Sequence, residues 1–192
     1  MIDPKQVTAV LVTKGDIGLS PSLLDSLSIF GRLIIRDNSV IVRRGGADRK
    51  VYGRYLAAQV ATTDYIYFQD DDCIIDTQRL CEEYQAGELL CNMTEGHIKD
   101  YSRYYPGIAL VGWGAIFPQS MLDFSAYLAK YPADELFDRE CDRVFTWLNR
   151  EKTRIVDVGV EHLPHAHGGD RMGREARHGA DLMEIMRRVK GL

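Results

Sequence analysis

The 192-residue chain has no apolar run of the roughly 20 residues that a membrane-spanning helix needs. It has four cysteines but no Cys-x-x-Cys pair, which argues against a structural zinc site. The first residues, Met1 to Lys5, lack the charged-then-apolar layout of a secretory signal. We therefore expect a cytoplasmic protein without a membrane span, whose thiols are reduced and mostly buried. The cysteines are Cys73, Cys81, Cys91 and Cys141.

Charge of one sign is not in large excess, since 28 acidic residues stand against 24 basic ones and the formal charge is −4. This mild acidity argues against a general nucleic-acid coat, although a local basic patch could still bind phosphates. Apolar residues make up 45% and charged residues 27% of the chain, a balance that excludes disordered, coiled-coil and collagen-like classes. A chain of this length is expected to form one domain.

Strand and helix patterns alternate along the chain, which predicts an α/β fold with a mostly parallel central sheet flanked by helices. Because parallel strands end at one edge of such a sheet, ligands are expected along that edge. The predicted strands are 7–13, 33–35, 65–68, 108–111 and 154–158, with a further short strand at 40–42. The predicted helices begin near Pro21, span 49–61, begin near Gln119, span 134–149 and span 173–190.

Three consecutive aspartates, Asp70, Asp71 and Asp72, follow the apolar strand 65–68. Carboxylates crowded at a sheet edge repel one another unless something offsets their charge. A divalent cation such as Mg²⁺ or Mn²⁺, which prefers oxygen ligands, would do so and would leave positions for a phosphate. The alternative is an acidic loop in water, or aspartates that cap a helix beginning near Asp76 and Thr77.

The charge distribution supports the metal interpretation. Residues 64–100 carry ten acids and two bases, a net charge of −8, whereas residues 32–54 carry seven bases and two acids, a net charge of +5. A metal–diphosphate complex needs both signs, since carboxylates bind the ion and Arg or Lys binds phosphate oxygens. An exposed basic surface with no ligand remains the alternative for residues 32–54.

Three segments in this order resemble nucleotide-diphospho-sugar glycosyltransferases of the GT-A type, in particular their exostosin-like and family-2-like members. The first is the strand 7–13 followed by a strand that ends in Asp37-Asn38-Ser39, similar to the acidic stop that meets the nucleoside in these enzymes. The second is the helix containing 53–59, followed by the strand and the Asp70–Asp72 cluster, which resembles their DxD order. The third is the segment 141–148, which resembles the acidic helix near their acceptor.

The resemblance implies a single GT-A-like (Rossmann-like) domain over residues 1–192. It implies a nucleotide-sugar-binding half at 1–100, an acceptor and catalytic half at 101–170, and a C-terminal helical tail at 171–192. It also implies a metal-dependent glycosyltransferase of the hexosyltransferase type, using Mn²⁺ or Mg²⁺, with a UDP-sugar as the first donor to consider. The acceptor stays open between a soluble glycan, a protein and a modified nucleic-acid base.

Site residues follow from the same resemblance. Asp72 would be the main metal ligand, while Asp70 and Asp71 would bind the ribose or reach the metal through water. The nucleotide would be bound by strand-end and neighbouring residues, namely Thr13, Asp37, Asn38 and Arg54, with Arg54 reaching either phosphate or a neighbouring aspartate. From the residues themselves, Gly112 would let the backbone approach a ligand closely, and Trp113 would offer an indole face to a sugar ring. The alternative is a core tryptophan in a tight turn.

Asp142 is the candidate catalytic carboxylate, with Glu140 and Asp138 as alternates. A helical wheel places Asp142 well away from the apolar face of the helix 134–149, whereas Asp138 and Glu140 flank that face. All three could instead be acids on a solvated helix surface.

A late glycine-rich loop, 162–169, contains three histidines, of which His165 is the candidate for a further metal ligand. The histidines could equally contact the diphosphate, or the loop could be exposed without a ligand. Arg171 and Arg174 would then close over the phosphates when the donor binds. Two other classes remain open. A nucleotidyltransferase shares the nucleotide-binding plan but usually has a richer glycine loop than residues 13–18 provide, and a non-catalytic module would bind a metal without nucleotide.

Overall fold

The structure, a computed structural model, describes residues 1–13, 19–104, 108–163 and 178–192, with the backbone alone for 100–104 and 178. Within these ranges the main sheet has six strands in the order β2-β1-β3-β6-β5-β7, and a two-stranded sheet joins β4 to β8. The strands are β1 Val7–Thr13, β2 Arg32–Asp37, β3 Tyr65–Asp70, β4 Cys73–Ile74, β5 Leu89–Asn92, β6 Ala115–Pro118, β7 Thr153–Val156 and β8 Glu161–His162.

Eight α-helices are described in the same ranges. They are α1 Pro21–Leu27, α2 Asn38–Arg43, α3 Tyr52–Ala58, α4 Thr77–Glu83, α5 Glu95–Tyr104, α6 Ser125–Leu128, α7 Glu135–Leu148 and α8 His178–Lys190. None of the described helices is both long and apolar enough to span a membrane.

The sheet is mostly parallel, because β6 alone of its six described strands runs against both neighbours. Parallel pairing of β1 with β2 sets Thr13 opposite Asp37, and pairing of β1 with β3 sets Val12 opposite Asp70. The carboxyl ends of these three strands therefore meet at one edge, as the alternation of strands and helices predicts.

Apolar side chains fill both faces of the sheet. One core packs α3, α7 and α8 against the sheet, with Tyr55, Phe68, Phe117 and Phe145 at its centre. The other core lies under α1 and α4. All four cysteines are buried and none forms a disulfide, in agreement with the sequence.

Two predicted strands are wrong. Residues 40–42 belong to α2 because the Asp37 carboxylate accepts the backbone N–H groups of Ser39 and Val40 and turns the chain into a helix. Residues 108–111 are mostly buried but lie outside the sheet, in which β6 is the strand beside β3. A short apolar run does not by its period distinguish a strand from a buried loop.

The other predicted elements lie where the patterns place them, with shifted ends, except that residues 173–177 of the predicted helix 173–190 lie outside the described residues. The strand predicted at 65–68 extends to Asp70 as β3, and the helix predicted at 49–61 shortens to α3. The helix predicted from Gln119 is a 3₁₀ turn, Gln119–Met121, followed by α6. Strand β5 and helix α5 have no counterpart in the sequence analysis.

Candidate functional site

The candidate site begins with the polar residues that end β1, β2 and β3. Thr13 is buried at the end of β1, and its hydroxyl hydrogen-bonds the carboxylate of Asp71. Asp70 ends β3, and its amide donates to the carbonyl of Gly112 at 2.7 Å. The aspartate cluster thus lies at the carboxyl edge of the parallel strands and faces the Gly112 loop.

Arg54 connects this edge to α7. Its side chain is only 2% exposed, its Nη2 donates to Asp70 Oδ1 at 2.5 Å, and its Nη1 lies 3.8 Å from Asp142 Oδ2. Of the two partners that the sequence leaves open for Arg54, phosphate or a neighbouring aspartate, the structure shows an ion pair with the aspartate Asp70. One buried cation therefore lies between two carboxylates that are 72 positions apart in sequence.

Asp142 is enclosed rather than solvated. Its side chain is 18% exposed, and the hydroxyl of Tyr55 donates to its Oδ1 at 2.7 Å. The helical wheel places it away from the apolar face, but α3 packs against α7 and covers that side. Burial raises the pKa of Asp142, whereas Arg54 opposes that rise.

The two alternates to Asp142 have other partners. Asp138 pairs with Arg49 at 2.9 Å, and Glu140 pairs with Arg143 on its own helix. Asp142, by contrast, lies close to the cation that pairs with Asp70.

The pKa of Asp71 shows that carboxylates are crowded at this edge of the sheet. Burial raises its pKa, the charges of Asp70 and Asp72 raise it further, and the hydrogen bond from Thr13 lowers it. A cation at this edge would relieve that repulsion. Asp76 is the residue that caps a helix, since its carboxylate accepts the amide of Arg79 at the start of α4.

Asp37 and Asn38 hold the chain at the end of β2. The three hydrogen bonds from Ser39 and Val40 all go to Asp37 Oδ1, and they lower the pKa of Asp37 against the effect of burial. Asn38 is buried and donates to the carbonyl of Lys50 at 3.0 Å. Both residues thus have structural partners at this corner.

The Gly112–Trp113 turn forms a wall of the site. A cavity of about 90 Å³ lies between residues 108–113, Asp70, Asp142 and Arg143. A methyl group on Gly112 would lie 2.0 Å from Asp70 Oδ2, so only glycine lets the turn approach the carboxylate this closely.

Histidines flank Trp113, and sequence reasoning did not assign either of them. The ring of His97 lies 4.5 Å from that of Trp113, and the ring of His162 lies 5.1 Å away, both nearly perpendicular to it. The sequence does not predict these contacts, because the three residues lie far apart in the chain, in separate loops and elements.

Asn92 is a second residue that the sequence analysis missed. It is fully buried at the end of β5, donates to the carbonyls of Trp113 and Gly159, and accepts the amide of Val158. The one signal for it is an amide side chain directly after the apolar run 89–91. Asn92 holds the Trp113 turn against the loop after β7.

The chain returns to the aspartate cluster through β8. Cys73 pairs with His162, and the amide of Leu163 donates to the carbonyl of Asp72 at 2.8 Å. His165, Arg171 and Arg174 lie outside the described residues. Within the described ranges, no three His, Cys, Asp or Glu side chains are grouped to hold a metal ion.

The donor set at this edge nevertheless fits a hard divalent ion. Carboxylate oxygens are the ligands that Mg²⁺ and Mn²⁺ prefer, and Asp70, Asp71 and Asp72 gather them at one strand end. Arg54 pairs with Asp70 and lies near Asp142, while the charges of Asp70 and Asp72 raise the pKa of Asp71, so an added positive charge suits the cluster.

No protein-family model matches the chain, and no curated protein matches it in sequence. Solved structures do. A mannosyltransferase from Pyrobaculum calidifontis in complex with GDP-mannose and Mn²⁺ matches 84% of this chain with a TM-score of 0.55 and 14% identity. Glucosyl-3-phosphoglycerate synthase from Mycobacterium tuberculosis, in complex with Mn²⁺ and UDP-glucose, matches 96% with a TM-score of 0.55 and 13% identity.

The chain has a GT-A-type fold. The expectation from the resemblance is thereby confirmed at the level of the fold. The chain spans 58% of the length of the mannosyltransferase and 78% of that of the synthase. The polar edge described above is the edge at which a GT-A-type sheet ends its parallel strands.

Proposed function

We propose that the protein is a metal-dependent glycosyltransferase that transfers a hexose from a nucleotide diphosphate sugar to an acceptor hydroxyl. One observation carries the proposal: the buried Arg54 joins Asp70, at the end of β3, to Asp142 on α7 within a GT-A-type fold. In this arrangement, the carboxylates at the end of β3 would bind the ion. The enclosed carboxylate of Asp142 would accept the proton. Similarity to structures with bound GDP-mannose or UDP-glucose supports the donor class.

Asp72 is proposed as the main metal ligand and Asp70 as a second one, with Mn²⁺ or Mg²⁺ as the ion. The bound ion would stabilise negative charge on the leaving nucleoside diphosphate. His165 is proposed as a further ligand because Leu163, two residues before it, is hydrogen-bonded to Asp72. Two peptide units span at most about 7 Å.

The nucleotide is proposed to lie over the ends of β1 and β2. Thr13 and Asp71, whose side chains are hydrogen-bonded to each other, would contact the ribose. Asp37 uses Oδ1 for its helix cap, so a nucleoside would approach Oδ2. Asn38 would contribute indirectly, because its hydrogen bond to the carbonyl of Lys50 holds that part of the backbone in place.

Asp142 is proposed as the general base that accepts the proton of the acceptor hydroxyl. It lines the cavity beside Gly112 and Trp113, where the sugar would be held against the indole. Arg54 opposes the effect of burial and favours the ionised form that a base requires.

The proposal is tested with a panel of UDP-, GDP- and TDP-sugars, measuring release of nucleoside diphosphate with and without Mn²⁺. We expect release with at least one donor in the presence of metal only, and loss of at least 100-fold in Asp142→Asn. Asp64→Asn is the matched control, because Asp64 is exposed just before β3, at the opposite end of the strand. No metal-dependent release from any donor would contradict the proposal.

The same panel separates the other classes. A nucleotidyltransferase would release pyrophosphate from a nucleoside triphosphate rather than a nucleoside diphosphate from a sugar donor. A non-catalytic module would bind Mn²⁺ or Ca²⁺ equally well without nucleotide.

A further inference from the structure

Tyr55 occupies an unusual place for a tyrosine in the core. It is 1% exposed, yet its hydroxyl reaches the site and donates to Asp142 Oδ1 at 2.7 Å. A buried hydroxyl normally has a partner, and here that partner is the acid proposed as the base.

The ring of Tyr55 is fixed on several sides by aromatic neighbours. Phe68 and Phe124 meet it edge-on with centroids 5.0 Å away, and Phe145 lies at 5.2 Å. Phe68 is two residues before Asp70 on β3, and Phe145 is three residues after Asp142 on α7. The ring is therefore packed between the two elements that carry the site acids.

The two oxygens of Asp142 have different surroundings. Oδ1 accepts the hydrogen bond from Tyr55, whereas Oδ2 faces Arg54 Nη1 at 3.8 Å, too far for a hydrogen bond. Nη1 itself has no hydrogen-bond partner among the described residues. Oδ2 is the oxygen of Asp142 to which neither of these α3 side chains donates a hydrogen bond.

We propose that Tyr55 is a positioning residue, whose hydroxyl holds Oδ1 of Asp142 so that Oδ2 is the oxygen that receives the acceptor proton. This inference rests on the proposed function. In the step, the acceptor O–H bond breaks and its proton passes to Oδ2 while the acceptor oxygen bonds to the anomeric carbon. The nucleoside diphosphate leaves with the electron pair of the broken C–O bond.

Several charged or titratable groups face Asp142 and set its proton affinity. Among the described residues they are Arg54 and Tyr55 on α3, Asp70 on β3, Cys91 on β5, and Cys141 and Arg143 on its own helix. The hydrogen bond from Tyr55 favours the ionised carboxylate and so lowers the pKa of Asp142. Removing the hydroxyl therefore raises that pKa.

The test uses Tyr55→Phe, which keeps the ring in its aromatic surroundings and removes the hydroxyl alone. Tyr52→Phe is the matched control, because Tyr52 is a buried tyrosine on the same helix with its ring 6.2 Å from that of Tyr55. The first measurement is a ¹³C NMR titration of labelled aspartate carboxyls, with the Asp142 signal assigned by its loss in Asp142→Asn. We expect a higher pKa of Asp142 in Tyr55→Phe and an unchanged one in Tyr52→Phe.

The second measurement is steady-state kinetics with the donor identified in the panel. We expect kcat to fall about tenfold or more in Tyr55→Phe, with the KM for the donor within about twofold of wild type. The acid limb of the pH profile should move to higher pH. A purely structural tyrosine would leave the pH profile in place.

The outcomes separate the two proposals. An unchanged pKa of Asp142, or an unchanged kcat and pH profile in Tyr55→Phe, overturns the positioning role. A wild-type protein that transfers nothing overturns the proposed function. The NMR titration still tests, independently of activity, whether the Tyr55 hydroxyl lowers the pKa of Asp142.

Discussion

At the scale of single residues, the site depends on one buried guanidinium. Arg54 makes an ion pair with Asp70 and lies close to Asp142, and its guanidinium lies over the ring of Phe68, 5.8 Å from the centroid. Burial disfavours its charge, but Asp142 and Asp70 together more than offset that effect and raise its pKa. Breaking a buried ion pair is costly because it leaves a charge without compensation.

Replacing Arg54 should therefore destabilise the fold. We expect Arg54→Met to lower the free energy of unfolding by about 2–3 kcal/mol, near the low end for buried pairs because Asp70 is 37% exposed. Urea denaturation measures this loss. Arg79→Met, on the exposed face of α4, should change stability by less than about 0.5 kcal/mol. Equal effects of the two substitutions would contradict the role of Arg54.

Gly112 allows a second residue-scale prediction, because a side chain there meets the end of Asp70 rather than backbone. Asp70 must rotate away and leave the buried Arg54 without its ion-pair partner, so Gly112→Ala should cost about 3 kcal/mol in stability. The rotation breaks the contact with Arg54, and we expect metal-dependent nucleotide affinity to fall at least tenfold.

Isothermal calorimetry of the nucleoside diphosphate with Mn²⁺ measures the affinity of this variant. Gly96→Ala serves as the control, since an added methyl group there meets nothing within 4 Å. Wild-type affinity in Gly112→Ala would show that Asp70 does not need its present position.

At the scale of elements, α7 is the helix on which the rest of the site depends. Asp134 caps its first turn by accepting the amide of Phe137, and the same residue pairs with Arg188 of α8 at 2.9 Å. Arg139 of α7 also pairs with Asp181 near the start of α8. Helix α8 therefore supports the end of α7 that precedes Asp142.

The docking of α8 can be tested within one turn of that helix. Ile185 is fully buried, whereas Met183 is 69% exposed. We expect Ile185→Ala to lower the free energy of unfolding by about 2–4 kcal/mol, and Met183→Ala to change it by less than about 0.5 kcal/mol. Urea denaturation of both variants measures these changes. A loss of less than about 0.5 kcal/mol in Ile185→Ala would mean that α8 is not packed against α7.

The sequence was informative where one pattern determines one structure. The β-branched run 7–13 and the apolar run before Asp70 predict β1 and β3, and the position of the aspartates at a strand end follows from them. The run 108–111 was misleading, because burial alone does not make a strand. The partners of Asp142 were out of reach, since the contact with Tyr55 joins residues 87 positions apart and depends on how α3 meets α7.

At the scale of the whole molecule, folding brings together charges that the sequence separates. The basic segment 32–54 supplies Arg54 from its last position, and the acidic segment 64–100 supplies Asp70, Asp71 and Asp72. These aspartates crowd one another, since the charges of Asp70 and Asp72 raise the pKa of Asp71. The central claim is that a divalent ion and a diphosphate complete this edge of the sheet.

Calorimetric titration of UDP and GDP into the protein tests this claim most directly. We predict that one of them binds in the presence of Mn²⁺, that affinity falls at least 100-fold when the metal is removed, and that Asp72→Ala abolishes the metal-dependent binding while Asp64→Ala retains it. Binding that is the same with and without metal, or that survives in Asp72→Ala, would contradict the account.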